Sequence, residues 1–326
     1  MDTILLLPGD GIGKTMMDSM RTVLDAAAGG IDFVEGDIGA SAYESVGSYL
    51  PRDTMEIASE CGAALCGPID INKAGHSQKR DPINMLRIQL DLYAVCKRFR
   101  TLADDLGEKG MDTTLWFCSP VPGRDTIEAE DFDGITLTKY VRKGNYSRMM
   151  AKAMSYAEIE RRNEVVCITS EIFPESSGMF KECFRNIFET GSFSLSEETV
   201  RRWMASTVRN PAKYGTVICV DLFGQVAGGL LAGLTGGNHL SPDVFVGDDQ
   251  ILAISGNVTN EVEGKYANPT SLIIGGCRAL SEFGMEKESC ALMDALCEAY
   301  AAGERTPDVG GTLTAEEFTD RVLRRL

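Results

Sequence analysis

The sequence predicts an α/β fold with a parallel or mixed sheet covered by helices. Short apolar runs alternate with stretches whose apolar residues recur at helical spacing. The turns between them carry glycine and proline. The 326 residues, of which 44% are hydrophobic, suffice to bury a full core in two domains or one large α/β unit. The first run, TILLL at 3–7, is a strand ended by Pro8 and the GDGIG turn at 9–13, and residues 14–28 then show the spacing of a helix. The pattern repeats with a strand at 31–35, a helix from about 53 to 61 and a strand at 63–66.

A strand over 92–98 leaves this first unit, and the charged, glycine-containing stretch 101–112 reads as a surface connection. Strands are expected at 114–118, 134–141 and 164–169, with a long helix over 147–162. Ser194 and Glu197 have the spacing of a capping box, which predicts a helix from there to about Arg209, before Pro211. A strand at 215–220 leads into a Gly/Leu/Ala-rich helix. Beyond Leu252 a glycine-rich loop precedes helices over 268–283 and 287–300, and Thr314 with Glu317 caps a last amphipathic helix. There is no internal repeat.

A net charge of -16 excludes the basic footprint of a nucleic-acid binder and attraction to anionic membranes. The ten cysteines form no CxxC pair, and His76 and His239 are the only histidines, so there is no zinc pattern. Free thiols, with an amino-terminal run too short for a signal peptide, point to a cytoplasmic protein.

Three segments invite chemical readings. The GDGIGKT run at 9–15 approaches two nucleotide motifs and misses each by one residue. Pro8 stands where a P-loop needs a glycine N–H, and Lys14 stands where the dinucleotide fingerprint needs glycine. A tight strand-to-helix turn is the better reading. Arg87, Lys97, Arg98 and Arg100, with Lys139, Arg142 and Lys143 beside Tyr146, could hold a small polycarboxylate or form a solvated surface. The stretch DLFGQVAGG at 221–229 has the frame of a metal-binding helix start, with Gln225 and Gly229 on one face. A hard divalent cation would require carboxylates there.

Taken together, LLPGDGIG at 6–13, FVEGDIGASAYESVGSYLP at 33–51, LRIQLDLYA at 86–94, VRNPAKYGTVICVDLFG at 208–224, EGKYANP at 263–269 and TPDVGGTLTAEEFTDRVL at 306–323 resemble the β-decarboxylating dehydrogenases of isopropylmalate, isocitrate and homoisocitrate. The resemblance implies an isopropylmalate dehydrogenase-like fold, two α/β domains around a cleft. The first would comprise 1–98 and 250–326; the second, 99–249, would build a homodimer.

Position by position, the resemblance places Arg87 at the first substrate-carboxylate arginine and Lys97 and Lys139 at the second and third. Tyr146 falls on the catalytic tyrosine, a proton donor. The catalytic lysine position holds Thr169, and the three metal-binding aspartates become Arg201, Gln225 and Gly229. Glu171, Glu175 and Asp221 are the neighbouring carboxylates that could stand in for one such loss, not for four. In the cofactor loop, 253–265, the family's histidine and small-residue turn are gone, and Gly264, Lys265 and Asn268 persist. This leaves NAD or NADP binding open and argues against Mg2+ or Mn2+.

In this family the metal polarises the substrate's oxygens and stabilises the enolate formed as carbon dioxide leaves. Thr169 does not titrate near neutrality and offers no general base; Arg201 would repel a cation and attract carboxylates. The expectation is a non-catalytic or altered homologue binding a small polycarboxylate through Arg87, Lys97, Lys139 and Arg201. The alternatives are a metal-independent NAD(P)-dependent oxidoreductase of 2-hydroxy acids that keeps Tyr146 as acid, and a regulatory subunit of an active paralogue. The family shares its sites across the dimer, so Thr169 and Arg201 would reach the neighbouring chain's site.

Overall fold

The computed structural model describes residues 2–70, 81–259 and 262–326. His76 and the cofactor-loop residues Asn260 and Glu261 lie outside these. In chain order the strands are β1 Thr3–Leu7, β2 Asp32–Glu35, β3 Ala63–Cys66, β4 Ala94–Arg100, β5 Asp112–Cys118, β6 Thr126–Glu130, β7 Ile135–Lys139, β8 Glu164–Thr169, β9 Ser194–Thr199, β10 Thr216–Cys219, β11 Asp243–Val246 and β12 Ile251–Ile254. The α-helices are α1 Gly13–Ala27, α2 Ala40–Val46, α3 Arg52–Glu60, α4 Pro82–Gln89, α5 Lys143–Ile159, α6 Pro174–Phe188, α7 Val200–Arg209, α8 Phe223–Thr235, α9 Thr270–Glu282, α10 Glu286–Ala301 and α11 Ala315–Leu323.

The chain packs as two compact units: Met1–Leu92 with Thr101–Gly107 and Thr235–Leu326, and Tyr93–Arg100 with Glu108–Leu234. These bounds differ from the expected division at 98/99 and 249/250. Strand β4 belongs to unit 2 because it pairs along its whole length with β5. Arg98 of β4 also grips the Asp112 carboxylate with two hydrogen bonds of 2.8 Å. Strand β11 belongs to unit 1 because it pairs antiparallel with β12.

In unit 1 the strands run in the order β2-β1-β3-β12-β11, parallel from β2 to β12. Strand β1 is buried on both faces, which is why it reads as an unbroken apolar run. Leu5 and Leu7 pack with Ile38, Leu50, Ala58 and Leu86, the side covered by α3 and α4. On the other side α9 lies against β3 and β12, with α1 and α10 packed on it and α11 packed on those two. The predicted capping box closes the last helix: Glu317 N–H donates to Thr314 Oγ1 and Thr314 N–H donates to Glu317 Oε2.

In unit 2 the order is β4-β5-β10-β8-β9, parallel from β5 to β9. Helices α5 and α6 pack on each other, α5 against β5 and α6 against β8. Strands β6 and β7 form a separate antiparallel hairpin. The expected helix start at Ser194 is incorrect. Residues 194–199 form β9, in parallel register with β8 from Glu164↔Ser194 to Thr169↔Thr199. Glu197 does not turn back to cap; Arg185 takes its carboxylate at 2.6 and 2.9 Å. The helix starts at Val200, with Thr199 as the cap. A local capping pattern thus lost to sheet pairing and a cross-element ion pair. Among the described residues no helix is long and apolar enough to cross a membrane.

Candidate functional site

The site is built around Asp221, the first residue beyond β10 and the adjoining Val220. The apolar run TVIC carries the chain through the sheet, and Leu222 then turns it into α8 with a φ of +73°, a conformation bulky residues rarely adopt. Close packing of this turn is enforced by Gly224, where a Cβ would lie 2.1 Å from Phe117 Cγ. The turn leaves the Asp221 carboxylate 5% exposed.

Two of the predicted site residues converge on that carboxylate. Tyr146, on the first turn of α5, donates its hydroxyl proton to Asp221 Oδ1 at 2.6 Å. Lys139, the last residue of β7, places Nζ 2.6 Å from Oδ2. The Tyr146 ring is buried and meets Phe180 of α6 edge-on, 4.7 Å between centroids. Burial pushes the Tyr146 hydroxyl well above the ordinary tyrosine range, and the Asp221 charge pushes it further; Ser176 beside it acts in the opposite direction. Tyr146 is therefore a protonated donor at any physiological pH, oriented by Asp221.

A second internal cluster lies beside the first. Arg124 and Arg142 both reach the buried Asp125 carboxylate, at 2.9 and 3.4 Å. Burial raises the Asp125 carboxyl, but Arg124 and the Val121 backbone N–H overcome this and hold it below the usual carboxylate range. The Arg142 guanidinium also lies 5.0 Å from the Tyr140 ring centre. The recess lined by Tyr140, Arg142, Asn145, Tyr146, Asp125 and Asp221 has a volume of about 20 Å3, roughly the space of one water. Lys143 pairs with Glu182 at 3.1 Å. The basic group predicted around Tyr146 is thus matched with carboxylates of the same chain.

The remaining predicted residues are distributed as follows. Lys97 is buried on β4, its ammonium 5.5 Å from the Phe99 ring centre, and a Cβ at Gly228 would lie 4.0 Å from its stem. Thr169 ends β8 and is 3% exposed. Arg201 is exposed near the start of α7. Arg87 belongs to unit 1, buried on α4, where its guanidinium donates to Asn84 at 2.8 Å and lies 4.4 Å over Phe245.

At the positions that the resemblance assigns to the family's metal carboxylates, the residues present do not fit a divalent cation. Gln225 and Gly229 are exposed on α8 and bring no charge. The nearest carboxylate in sequence, Asp221, is already engaged on both oxygens. Among the described residues no three His, Cys, Asp or Glu side chains form a group that could hold a metal ion. In the cofactor loop, Lys265 is exposed and paired with Glu263 at 3.2 Å, and a Cβ at Gly264 would lie 3.8 Å from the Thr15 hydroxyl. Asn268 is buried, and its amide group donates to the Tyr300 hydroxyl and the Asp308 carboxylate and accepts from Thr270 N–H. Its side chain serves the packing of unit 1.

The placement of Asp221 between Tyr146 and Lys139 is not evident in the sequence, where it is only one of three stand-in carboxylates. A usable signal is there: an acidic residue directly after an apolar parallel strand sits at the carboxyl end of the sheet, where open α/β sheets place their chemistry.

The chain matches the isocitrate/isopropylmalate dehydrogenase family over residues 3–112 and 122–322. It is 27% identical over 339 residues to the 3-isopropylmalate/3-methylmalate dehydrogenase of Methanocaldococcus jannaschii, a match covering 100% of this chain and 99% of that protein. It is also 27% identical over 342 residues to the NAD isocitrate dehydrogenase catalytic subunit 5 of Arabidopsis thaliana mitochondria, covering 99% of this chain and 88% of that one. The fold matches the crystal structure of isocitrate dehydrogenase from Methylococcus capsulatus with a TM-score of 0.86, at 23% identity over 100% of this chain and 99% of that one. The β-decarboxylating dehydrogenase of Thermococcus kodakarensis, in its apo form, gives the same TM-score of 0.86 at 20% identity, covering 100% and 96%. With the match running from residue 3 to residue 322 and the fold agreeing throughout, the chain belongs to the isocitrate/isopropylmalate dehydrogenase family.

Proposed function

We propose that this family member does not carry out metal-dependent oxidative decarboxylation, and that unit 2 binds a small polycarboxylate in competition with its own Asp221. The observation that carries this reading is the pair of 2.6 Å contacts from Lys139 and Tyr146 to one buried carboxylate. The resemblance assigns both residues to substrate, and here an internal anion occupies them. An external carboxylate competes with Asp221 for Lys139, and the recess beside Tyr146 and Asp221 has room for roughly one water. A tethered group competes at an effective concentration on the order of millimolar or above, so the protein answers to abundant ligand only. Thr169 and the bare α8 face supply neither general base nor cation ligands, which leaves binding without the family's chemistry.

The test is calorimetric titration of the full chain with citrate and 3-isopropylmalate. Lys139→Gln is expected to weaken the binding by about tenfold or more, the effect of deleting a charge-assisted contact. Binding indifferent to Lys139 would overturn the placement.

The same reading includes a cytoplasmic homodimer. Ile127, Ile135 and Leu137 of the β6–β7 hairpin are 53%, 63% and 73% exposed, and an isolated two-stranded hairpin is marginal in water. A second copy covering these residues resolves both facts. Light scattering is expected to give the mass of a dimer for the native chain, and of a monomer for Ile135→Lys combined with Leu137→Lys. A monomeric native chain would rule the interface out.

A further inference from the structure

We propose that unit 1 carries a second small-molecule site, in the crevice beyond the carboxyl ends of β1 and β2, and that it takes a ribonucleoside monophosphate. The site follows from the topology. Strands β1 and β2 are parallel neighbours. The chain leaving β1 enters α1, which packs with α9 on one side of the sheet. The chain leaving β2 passes Ile38 toward α2 and α3, on the side where Ile38 and Ala58 meet Leu5 and Leu7. Connections that depart to opposite faces open a crevice at the strand ends, and open α/β sheets bind ligands in such crevices.

A cavity of about 420 Å3 occupies this place, within the range of roughly 300–1,000 Å3 typical of small-molecule pockets. The charged groups around it divide into two sets. Arg21 is already held by Glu35 at 3.1 Å. Lys14, Asp18 and Asp37 also line the cavity, and their side chains have no ionic or hydrogen-bond partner among the described residues. Asp37 lies just past the end of β2, the position from which an acidic residue accepts hydrogen bonds from a ribose diol in doubly wound sheets. Lys14, across the crevice on α1, offers a point charge to a phosphate, and the buried Leu6 and Met17 back the cavity wall.

The neighbouring glycine turn leaves the phosphate to Lys14. A Cβ at Gly9 would lie 2.4 Å from the Pro68 carbonyl oxygen, and one at Gly13 would lie 1.9 Å from that of Pro8. These glycines let the loop pack onto protein backbone rather than cradle a ligand.

The probe is AMP, titrated calorimetrically into the full chain. Binding at millimolar or lower concentration is expected, weakened by about tenfold or more in Asp37→Asn and with 2′,3′-dideoxy-AMP on the native chain, because each removes a hydrogen bond to a charged acceptor. Lys14→Met is expected to weaken AMP similarly and to leave adenosine unchanged. Absence of AMP binding at millimolar concentration would overturn the proposal, as would affinity unaffected by both substitutions. Loss of binding in Lys265→Ala with none in Asp37→Asn would place the nucleotide at the loop around residue 264 and equally overturn it. None of these outcomes depends on what unit 2 binds.

Discussion

Replacing Asp221 with Asn is expected to raise the affinity of the chain for citrate or 3-isopropylmalate by about tenfold or more, equivalent to at least ~1.4 kcal/mol. The substitution keeps the shape of the side chain and removes its charge, so the Lys139 ammonium, now 2.6 Å from Oδ2, loses its internal partner. A half-buried cation facing a buried, neutral amide in place of its partner is less well satisfied, and an external carboxylate relieves that state. Lys139→Gln lowers affinity and Asp221→Asn raises it; opposite signs from two residues in contact distinguish competition from general loosening of the site. Tyr146 provides an independent readout. Asp221→Asn removes the charge that helps keep the Tyr146 hydroxyl protonated but leaves the burial, which is the larger cause. Ultraviolet titration is therefore expected to show this tyrosine ionising at lower pH than in the native chain, yet still above an ordinary tyrosine. A decrease in carboxylate affinity with Asp221→Asn would make Asp221 a supporting residue rather than a competitor.

The second large effect is expected at the bare face of α8. Gln225→Asp combined with Gly229→Asp should produce a divalent-cation site where the native side chains bring no charge, with a Kd for Mn2+ on the order of 10⁻⁴–10⁻³ M, the range of weakly assembled oxygen sites. Space permits it: Gln225 is exposed, and a Cβ at Gly229 would meet nothing within 4 Å. Stability should change little. Replacing a helical glycine recovers up to about 1 kcal/mol of backbone entropy, most of which the lower helix propensity of Asp takes back. An acidic residue near the start of α8 is also favoured by the helix dipole. Calorimetry with Mn2+ and thermal unfolding check both halves. The variant should bind metal and still not turn over, because Thr169 provides no base. Equal Mn2+ affinity in the native chain would show a cation site that the α8 substitutions did not create.

Much of the fold is legible because its strands are buried on both faces. TILLL, AALC, EVVCIT and TVIC each read as strands from composition alone, and each is one. Strands β6 and β9 escape such a reading for the opposite reason. TIEAE and SLSEET are polar, and their state is fixed by hydrogen-bonding partners that local pattern does not encode. Helix α6 escapes it too, although its Phe180, Cys183, Phe184 and Phe188 line one buried stripe. Its start, FPESSG, is rich in turn-forming proline, serine and glycine, and Pro174 occupies the first helical position. At the site, the sequence identifies Lys139 and Tyr146 but not the group that joins them. A residue identity shows which charge is present; that Asp221 lies within 2.6 Å of both depends on the strained turn at Leu222, which no composition signals.

The most direct test of the central claim is an assay of the purified chain for reduction of NAD+ or NADP+ in the presence of Mg2+ or Mn2+, with 3-isopropylmalate, isocitrate and homoisocitrate each supplied in excess. The expected result is no reduced nicotinamide above the enzyme-free blank with any pairing of substrate, cofactor and metal. Metal-dependent turnover with any one of them would contradict the account.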